Sequence, residues 1–546
     1  MKRISIYQVL PRLFGNLCSA PQPYGDYERN GSGKLNDFTP LRLEAIKDLG
    51  CTHIWYTGVI EHATKTAFGP SIPAHHPAIV KGEAGSPYAI SDYYDIAPAL
   101  ASQPEERMAE FEALVERTHS AGLKVLIDFV PNHLSRTYRS DAKPEGIRDF
   151  GAEDDPTLAF SPQNNFYYLP QETLTLASAQ GGEAVPYTEY PARATGNNVF
   201  SATPSRNDWY ETVKLNYGID LQGDWQSYFD PIPDTWQKML DILCYWAAKG
   251  IDGFRCDMAE LVPSPFWRWV IGEVRKRFPE LLFIAEVYQP NRYEEYIEAG
   301  FDYLYDKVGL YDKLIQILKG SASTSEISGV LGEQERVKQH LLRFMENHDE
   351  QRLASDFVVG DGATAFPAMC ATALIDGNPV MTYFGQELGE RGMDQEGFSG
   401  LDGRTTIFDY WAIESVREWL EGKSFALRTQ YQWLLHTAQL PIFAQGTLYD
   451  LTYTDRSLSE RGLLVFLRAL HHEVALVAIN FGKESVALAI TIPQHALGTL
   501  GISSGKVYRS TELNSNRTTF VTLSPDMHYA LTAYPLTATI HHFTTL

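Results

Sequence analysis

No stretch of this chain approaches the ~20 consecutive apolar residues that a membrane-crossing helix needs, which excludes a helical membrane protein. Positive charge is scarce: 46 Lys and Arg face 68 Asp and Glu, for a formal charge of −22. A phosphate backbone is gripped by clustered Lys and Arg, so nucleic acid is not an expected partner. Cysteine is rarer still. The five (Cys18, Cys51, Cys244, Cys256 and Cys370) lie far apart with no C-x-x-C pair, so neither a disulfide framework nor a thiolate zinc site is expected. There is also no His-x-His or His-Glu-x-x-His ligand set, no internal repeat and no low-complexity tract. At the N-terminus, Ser5, Gln8 and Pro11 interrupt the apolar run behind Lys2 and Arg3 before a signal-like segment can form, so a cytoplasmic location is expected.

What the chain does have is length and core. At ~150 residues per domain, its 546 residues suggest a large body with one or two appended modules, and 44% hydrophobic against 21% charged residues is a globular balance. Tyr (30), Phe (27) and Trp (10) supply flat apolar faces with polar tips, which suit sugars, although most will be core. Short apolar runs at 5–9, 53–57, 124–130, 253–257, 282–287, 303–306, 341–347 and 380–384 alternate with helical patterns such as 104–121, 234–249, 265–276 and 365–374. Gly122 and Gly250 read as helix stops. Eight strands each followed by a helix predict a closed (β/α)₈ barrel, spanning 1–133 and 232–425.

The third crossover is too long for one barrel unit. From His133 to Asp257 is 124 residues, against 29 from Asp257 to Glu286 and 63 from Glu286 to Asp349. The surplus, at 134–231, is rich in Pro, Asn, Gly, Tyr and Asp and is expected to form an irregular subdomain over the barrel mouth. From 426 to 546, strand-like runs at 462–468, 474–480, 486–492 and 528–531 predict a C-terminal antiparallel β-sandwich.

In such a barrel, chemistry is placed at the C-terminal ends of the strands. The third strand ends in Asp128-Phe-Val-Pro-Asn132-His133, the fourth in Gly253-Phe-Arg255-Cys-Asp257, the fifth in Ala285-Glu286-Val287 and the seventh in Glu346-Asn347-His348-Asp349. One acidic residue at a strand end is more often a cap or a loop ion pair, but several at successive ends argue together. Carboxylates on different strands are what retaining glycosidic cleavage requires: one attacks the anomeric carbon, a second protonates the leaving oxygen. Arg255, two residues before Asp257 on an extended strand, faces the same way and keeps that carboxylate ionised, which makes Asp257 the candidate nucleophile. Glu286 follows an apolar run, where desolvation among like charges favours the proton donor, so it is the candidate general acid and base. Asp349 is left to steady the distorted, positively charged ring.

These four segments, in this order, resemble the signature regions of the α-amylase family, glycoside hydrolase family 13. The resemblance runs along the chain from Tyr7-Gln-Val-Leu-Pro-Arg-Leu-Phe14 and Ile54-Trp-Tyr-Thr-Gly58 through a looser Leu215-Asn216-Tyr217 to Tyr383-Phe-Gly-Gln-Glu387. It implies the same roles for Asp257, Glu286 and Asp349. It further implies that Tyr88 stacks under the sugar at the cleavage point, and that His133, Arg255 and His348 belong to that subsite. The implied substrates are α-1,4-glucans such as starch, glycogen or maltodextrins, with transglycosylation or exo-acting α-glucosidase activity as the alternatives. No cofactor is expected for the chemistry.

Two departures from the family pattern matter. Glu260 and Leu261 stand where many α-amylases have Lys-His, a pair associated with aglycone and calcium binding. Asn132 matches a position that often ligates structural calcium and is the one motif-based metal candidate; Asp208, Glu211 and Asp220 could contribute further oxygens. The second departure is Gly85, three residues before Tyr88, where exo-acting relatives resemble a pattern with a pocket-closing aspartate. An open cleft for internal bonds is therefore expected.

Overall fold

Each of the eight apolar runs forms a strand: β1 (Ser5–Val9), β2 (His53–Tyr56), β3 (Lys124–Phe129), β4 (Gly253–Cys256), β5 (Leu282–Ala285), β6 (Tyr303–Tyr305), β7 (Leu341–Phe344) and β8 (Val380–Tyr383). The computed structural model describes residues 2–177, 186–392, 402–525 and 527–545. In it the strands close into a barrel in the order β1-β8-β7-β6-β5-β4-β3-β2, with parallel pairing throughout. Every residue of β1, β2, β4, β7 and β8 is buried, because side chains on one face fill the barrel while those on the other meet the helices.

Helices α1 (Pro40–Asp48), α2 (Arg107–Ser120), α3 (Asp234–Ala248), α4 (Ser264–Arg275), α5 (Tyr293–Glu298), α6 (Asp312–Leu318), α7 (Gly362–Leu374) and α8 (Ala426–Ala438) follow the strands. Gly122 and Gly250, just past α2 and α3, take φ of 79° and 87°, left-handed angles at which a side chain would be strained. Register places the chemistry. Cys256 of β4 lies opposite Ala285 of β5, so the next residues, Asp257 and Glu286, leave the barrel side by side.

The segment after β3 is built of small antiparallel pairs: His133–Ser135 with Thr212–Lys214, Tyr168–Leu169 with Ala192–Arg193, and Leu174–Leu176 with Tyr187–Glu189. A second piece of the rim is the pair Ile60–His62 with Ile90–Ile96, whose connection carries Gly85 and Tyr88. At the C-terminal end, β9 (Thr447–Asp450), β10 (Leu463–Leu470), β11 (Glu473–Asn480), β12 (Val486–Thr491), β13 (Lys506–Glu512), β14 (Arg517–Leu523), β15 (His528–Ala533) and β16 (Thr537–Thr545) are antiparallel. They make a six-stranded sheet, β9-β10-β11-β16-β13-β14, and a separate pair, β12-β15.

This β module begins at Thr447. Residue 426, where the sequence suggested the change of pattern, opens α8, whose Tyr431, Leu434 and Leu435 belong to the barrel core. Buried Arg468 of β10 joins the two bodies by donating to the carbonyls of Leu374 at 3.3 Å, Phe443 at 2.8 Å and Gly446 at 2.7 Å. The carbonyl of Leu374 is one that the end of α7 leaves without a helical partner, so a cation suits it. Among the described residues no helix is long and apolar enough to cross a membrane.

Candidate active site

Asp257, Glu286 and Asp349 meet at the C-terminal mouth of the barrel, on the wall of a cavity of about 260 Å³ that Tyr88 and His133 also line. Arg255 and His348 lie behind that wall. The guanidinium of Arg255 is the hub: Nη1 donates to Asp257 Oδ1 at 2.6 Å, Nη2 stands 2.9 Å from Glu286 Oε2, and Nε donates to the Tyr305 hydroxyl at 3.1 Å. Trp55, Tyr88 and Tyr305 surround it with ring faces 5.3–5.6 Å away. Burial would lower its pKa, but Glu286 and the groups around it raise it further, so it stays charged.

The two oxygens of Asp257 differ. Arg255 holds Oδ1, whereas Oδ2 is buried with no protein donor within reach. Burial pushes this carboxyl well above the usual carboxylate range; Arg255 pulls it down and the neighbouring Glu286 pushes it up again. The residue that follows, Met258, adopts φ 44°, a left-handed turn that costs energy for a non-glycine residue. That turn aims the Met258 N–H at Glu286 Oε2, 2.7 Å away, while the Tyr288 hydroxyl donates to Oε1, also at 2.7 Å. Both oxygens of Glu286 are thus fixed. The phenol of Tyr288 can reverse its bond and accept from a protonated carboxyl, so Glu286 keeps this partner in either protonation state.

Asp349 is set by a turn in which the Asn347 side-chain oxygen accepts from the Asp349 and Glu350 N–H groups at 2.9 and 3.0 Å. Nε2 of His348 lies 2.9 Å from Asp349 Oδ2 and 2.6 Å from the Tyr88 hydroxyl, and the Tyr88 and His348 rings stack with centroids 5.3 Å apart. Burial raises the Asp349 carboxyl, but His348, Arg255 and Arg404 outweigh it and hold it below the usual range. Asp349 is therefore an anion facing the cavity. His133 is pushed down to about 3 by burial and by Lys214 and Lys81, so its ring is neutral.

At this site two carboxyls share one guanidinium, with the Asp349 anion on the same cavity wall. The family profile "Alpha amylase, catalytic domain" matches residues 20–438. This chain belongs to the α-amylase family. Among its relatives, alpha-amylase MalA of Haloarcula japonica is 24% identical over 86% of this chain and 56% of its own length. An α-1,4-glucan:maltose-1-phosphate maltosyltransferase of Cereibacter sphaeroides is 24% identical over 52% of this chain and 36% of its own. This α-amylase-family chain thus spans about half or less of the length of these curated relatives. In fold it is similar to the maltogenic α-amylase AmyB of Thermotoga neapolitana, with a TM-score of 0.63 at 19% identity over 100% of this chain and 99% of that one.

Further residues around this α-amylase-family site take partners that the sequence does not name. Gln8, from β1, presents Nε2 2.7 Å from His348 Nδ1 and thereby settles the ring. Asp128 accepts from the Gly58 N–H at 2.9 Å and sits 3.6 Å from Arg255. Tyr288 could have been found from its place two residues beyond Glu286, on the same side of an extended chain. Glu346 turns away from the cavity to pair with Arg352 at 2.7 Å. Asn132 is buried at the edge of the site, where its Nδ2 donates to the Gly196 carbonyl at 2.9 Å and its Oδ1 accepts from Lys214.

Proposed function

We propose that this protein is a retaining α-glucan hydrolase that cleaves internal α-1,4 bonds of starch, glycogen or maltodextrins. The observation that carries the reading is the shared guanidinium, since Asp257 and Glu286 contact adjacent nitrogens of Arg255. Carboxyls held this close match the retaining separation of about 5–5.5 Å better than the inverting one of about 6.5–9.5 Å, which must admit a water. In the first step Asp257 Oδ2 attacks the anomeric carbon as Glu286 gives its proton to the leaving glycosidic oxygen, forming a glycosyl–enzyme ester. In the second, Glu286 takes a proton from water, whose oxygen attacks the same carbon and frees Asp257. Asp349 faces the positive charge that develops on the ring, and Tyr88 offers a flat face to its C–H side.

Cleavage within a chain is supported by Gly85. Its φ is 85°, and a Cβ there would lie 1.7 Å from the Ala63 carbonyl oxygen, so no side chain can close the cleft from this position. The cavity of about 260 Å³ is below the ~300–1,000 Å³ usual for whole ligands, which suits one ring of a longer chain. The test is a time course on maltoheptaose with the product anomer followed by NMR. α-Anomeric fragments of intermediate length are expected. β-Anomers would refute retention, exclusive glucose release would make the enzyme exo-acting, and products longer than the substrate would make it a transglycosylase, in keeping with the maltosyltransferase relative.

A further inference from the structure

The side-chain oxygen at the motif-based calcium position is already engaged. Lys214 Nζ donates to Asn132 Oδ1 and also, at 3.2 Å, to the carbonyl of Leu261, the residue that replaces the histidine of the usual Lys-His pair. Three segments meet at this one nitrogen: the loop after β3, the loop after β4, and the Thr212–Lys214 strand of the inserted subdomain. Asn132 locks the junction from its other side, donating to Gly196 O at 2.9 Å and accepting from the Leu215 N–H at 3.0 Å.

Calcium needs about six to eight oxygen ligands, with carboxylates among them to balance its charge. At this node the centre between the oxygens holds an amino group. Among the described residues no three His, Cys, Asp or Glu side chains gather as a metal ion needs; Asp208 accepts from Ser205 N–H at 2.7 Å, one oxygen of Glu211 pairs with Lys81 at 2.9 Å, and Asp220 accepts from Gly223 N–H at 2.9 Å. Burial lowers the Lys214 amine to about 7. The residues do not fit a calcium ion.

We propose that Lys214 is a covalently attached substitute for a structural metal, its amino group clamping the inserted subdomain to the two barrel loops so that this junction needs no calcium. An amine carries N–H donors whether charged or neutral, so it can bridge two oxygens as a cation would. The clamp lies one residue from His133, which lines the substrate cavity, and so the position of that wall depends on it. The test is thermal unfolding of the full chain in excess EDTA and in millimolar calcium, beside Lys214→Met, which keeps the stem and removes the donors. The unaltered chain should melt at the same temperature in both solutions. K214M should melt about 5 °C or more lower, because two buried oxygens lose their donor. A chelator-induced loss that calcium restores overturns the proposal, as does a K214M protein with unchanged melting. The chelator comparison uses the unaltered chain and decides the question even where K214M does not fold.

Discussion

Replacing Arg255 with methionine tests the electrostatic design of the site most directly. The guanidinium is buried and supports Asp257 at 2.6 Å and Glu286 at 2.9 Å. Burial drives the Asp257 carboxyl up and Arg255 is the group that opposes it, so without the arginine Asp257 takes up its proton at higher pH. A hydrogen bond to a charged group contributes about 1.5–3 kcal/mol, which at ~1.36 kcal/mol per pH unit is a shift of about 1–2 units. The ascending limb of kcat/KM against pH, which reports groups of the free enzyme, should therefore move up by that amount. Along that limb activity should fall about 10–100-fold and recover as the pH rises. Removing one partner of a buried pair also costs about 3–5 kcal/mol of stability, so circular dichroism melting must accompany the kinetics. Arg255→Lys keeps a charge but not the fork that reaches both carboxyls, and should fall between. A loss of equal size at every pH, with the limb unmoved, would refute the claim that Arg255 opposes the rise of the Asp257 carboxyl.

Two further expectations concern the rim. His62 is pushed down from about 6.5 to about 3 by burial and by Arg12, whose Nη2 lies 2.5 Å away, so its neutral form contributes stability that is full above pH 6.5 and lost as the pH falls towards 3. At pH 5 the loss is about 2 kcal/mol, at ~1.36 kcal/mol per unit. In urea titrations the stability gap between wild type and His62→Gln should shrink by that amount from pH 7 to pH 5; a constant gap would mean that the folded protein protonates this ring. Gly85→Ala, with its Cβ driven onto the Ala63 carbonyl, should lose more than about 2 kcal/mol, and unchanged melting would contradict the rim geometry.

Periodicity and spacing determined much of this protein. Short apolar runs marked all eight barrel strands, because strands buried on both faces must be apolar along their whole length. The placing of Asp257 and Glu286 at the ends of neighbouring strands followed from that spacing, since parallel register brings strand ends level. Half of the C-terminal strands gave no such signal: β14, for example, is largely exposed Thr and Arg, held by its pairing with β13 rather than by burial of its own side chains. Helix α8 was also hidden, because an amphipathic segment does not state which core it covers.

The remaining features were decided only by tertiary structure. That Arg255 serves Glu286 as well as Asp257, that Gln8 settles His348 from the far side of the chain, and that a lysine reaches the Asn132 oxygen are all contacts between distant segments. Local sequence fixes a residue's chemistry and the direction it leaves its strand. Its partner is fixed by barrel closure, which brings residue 8 beside residue 348 through hydrogen bonds and packing that no short window contains.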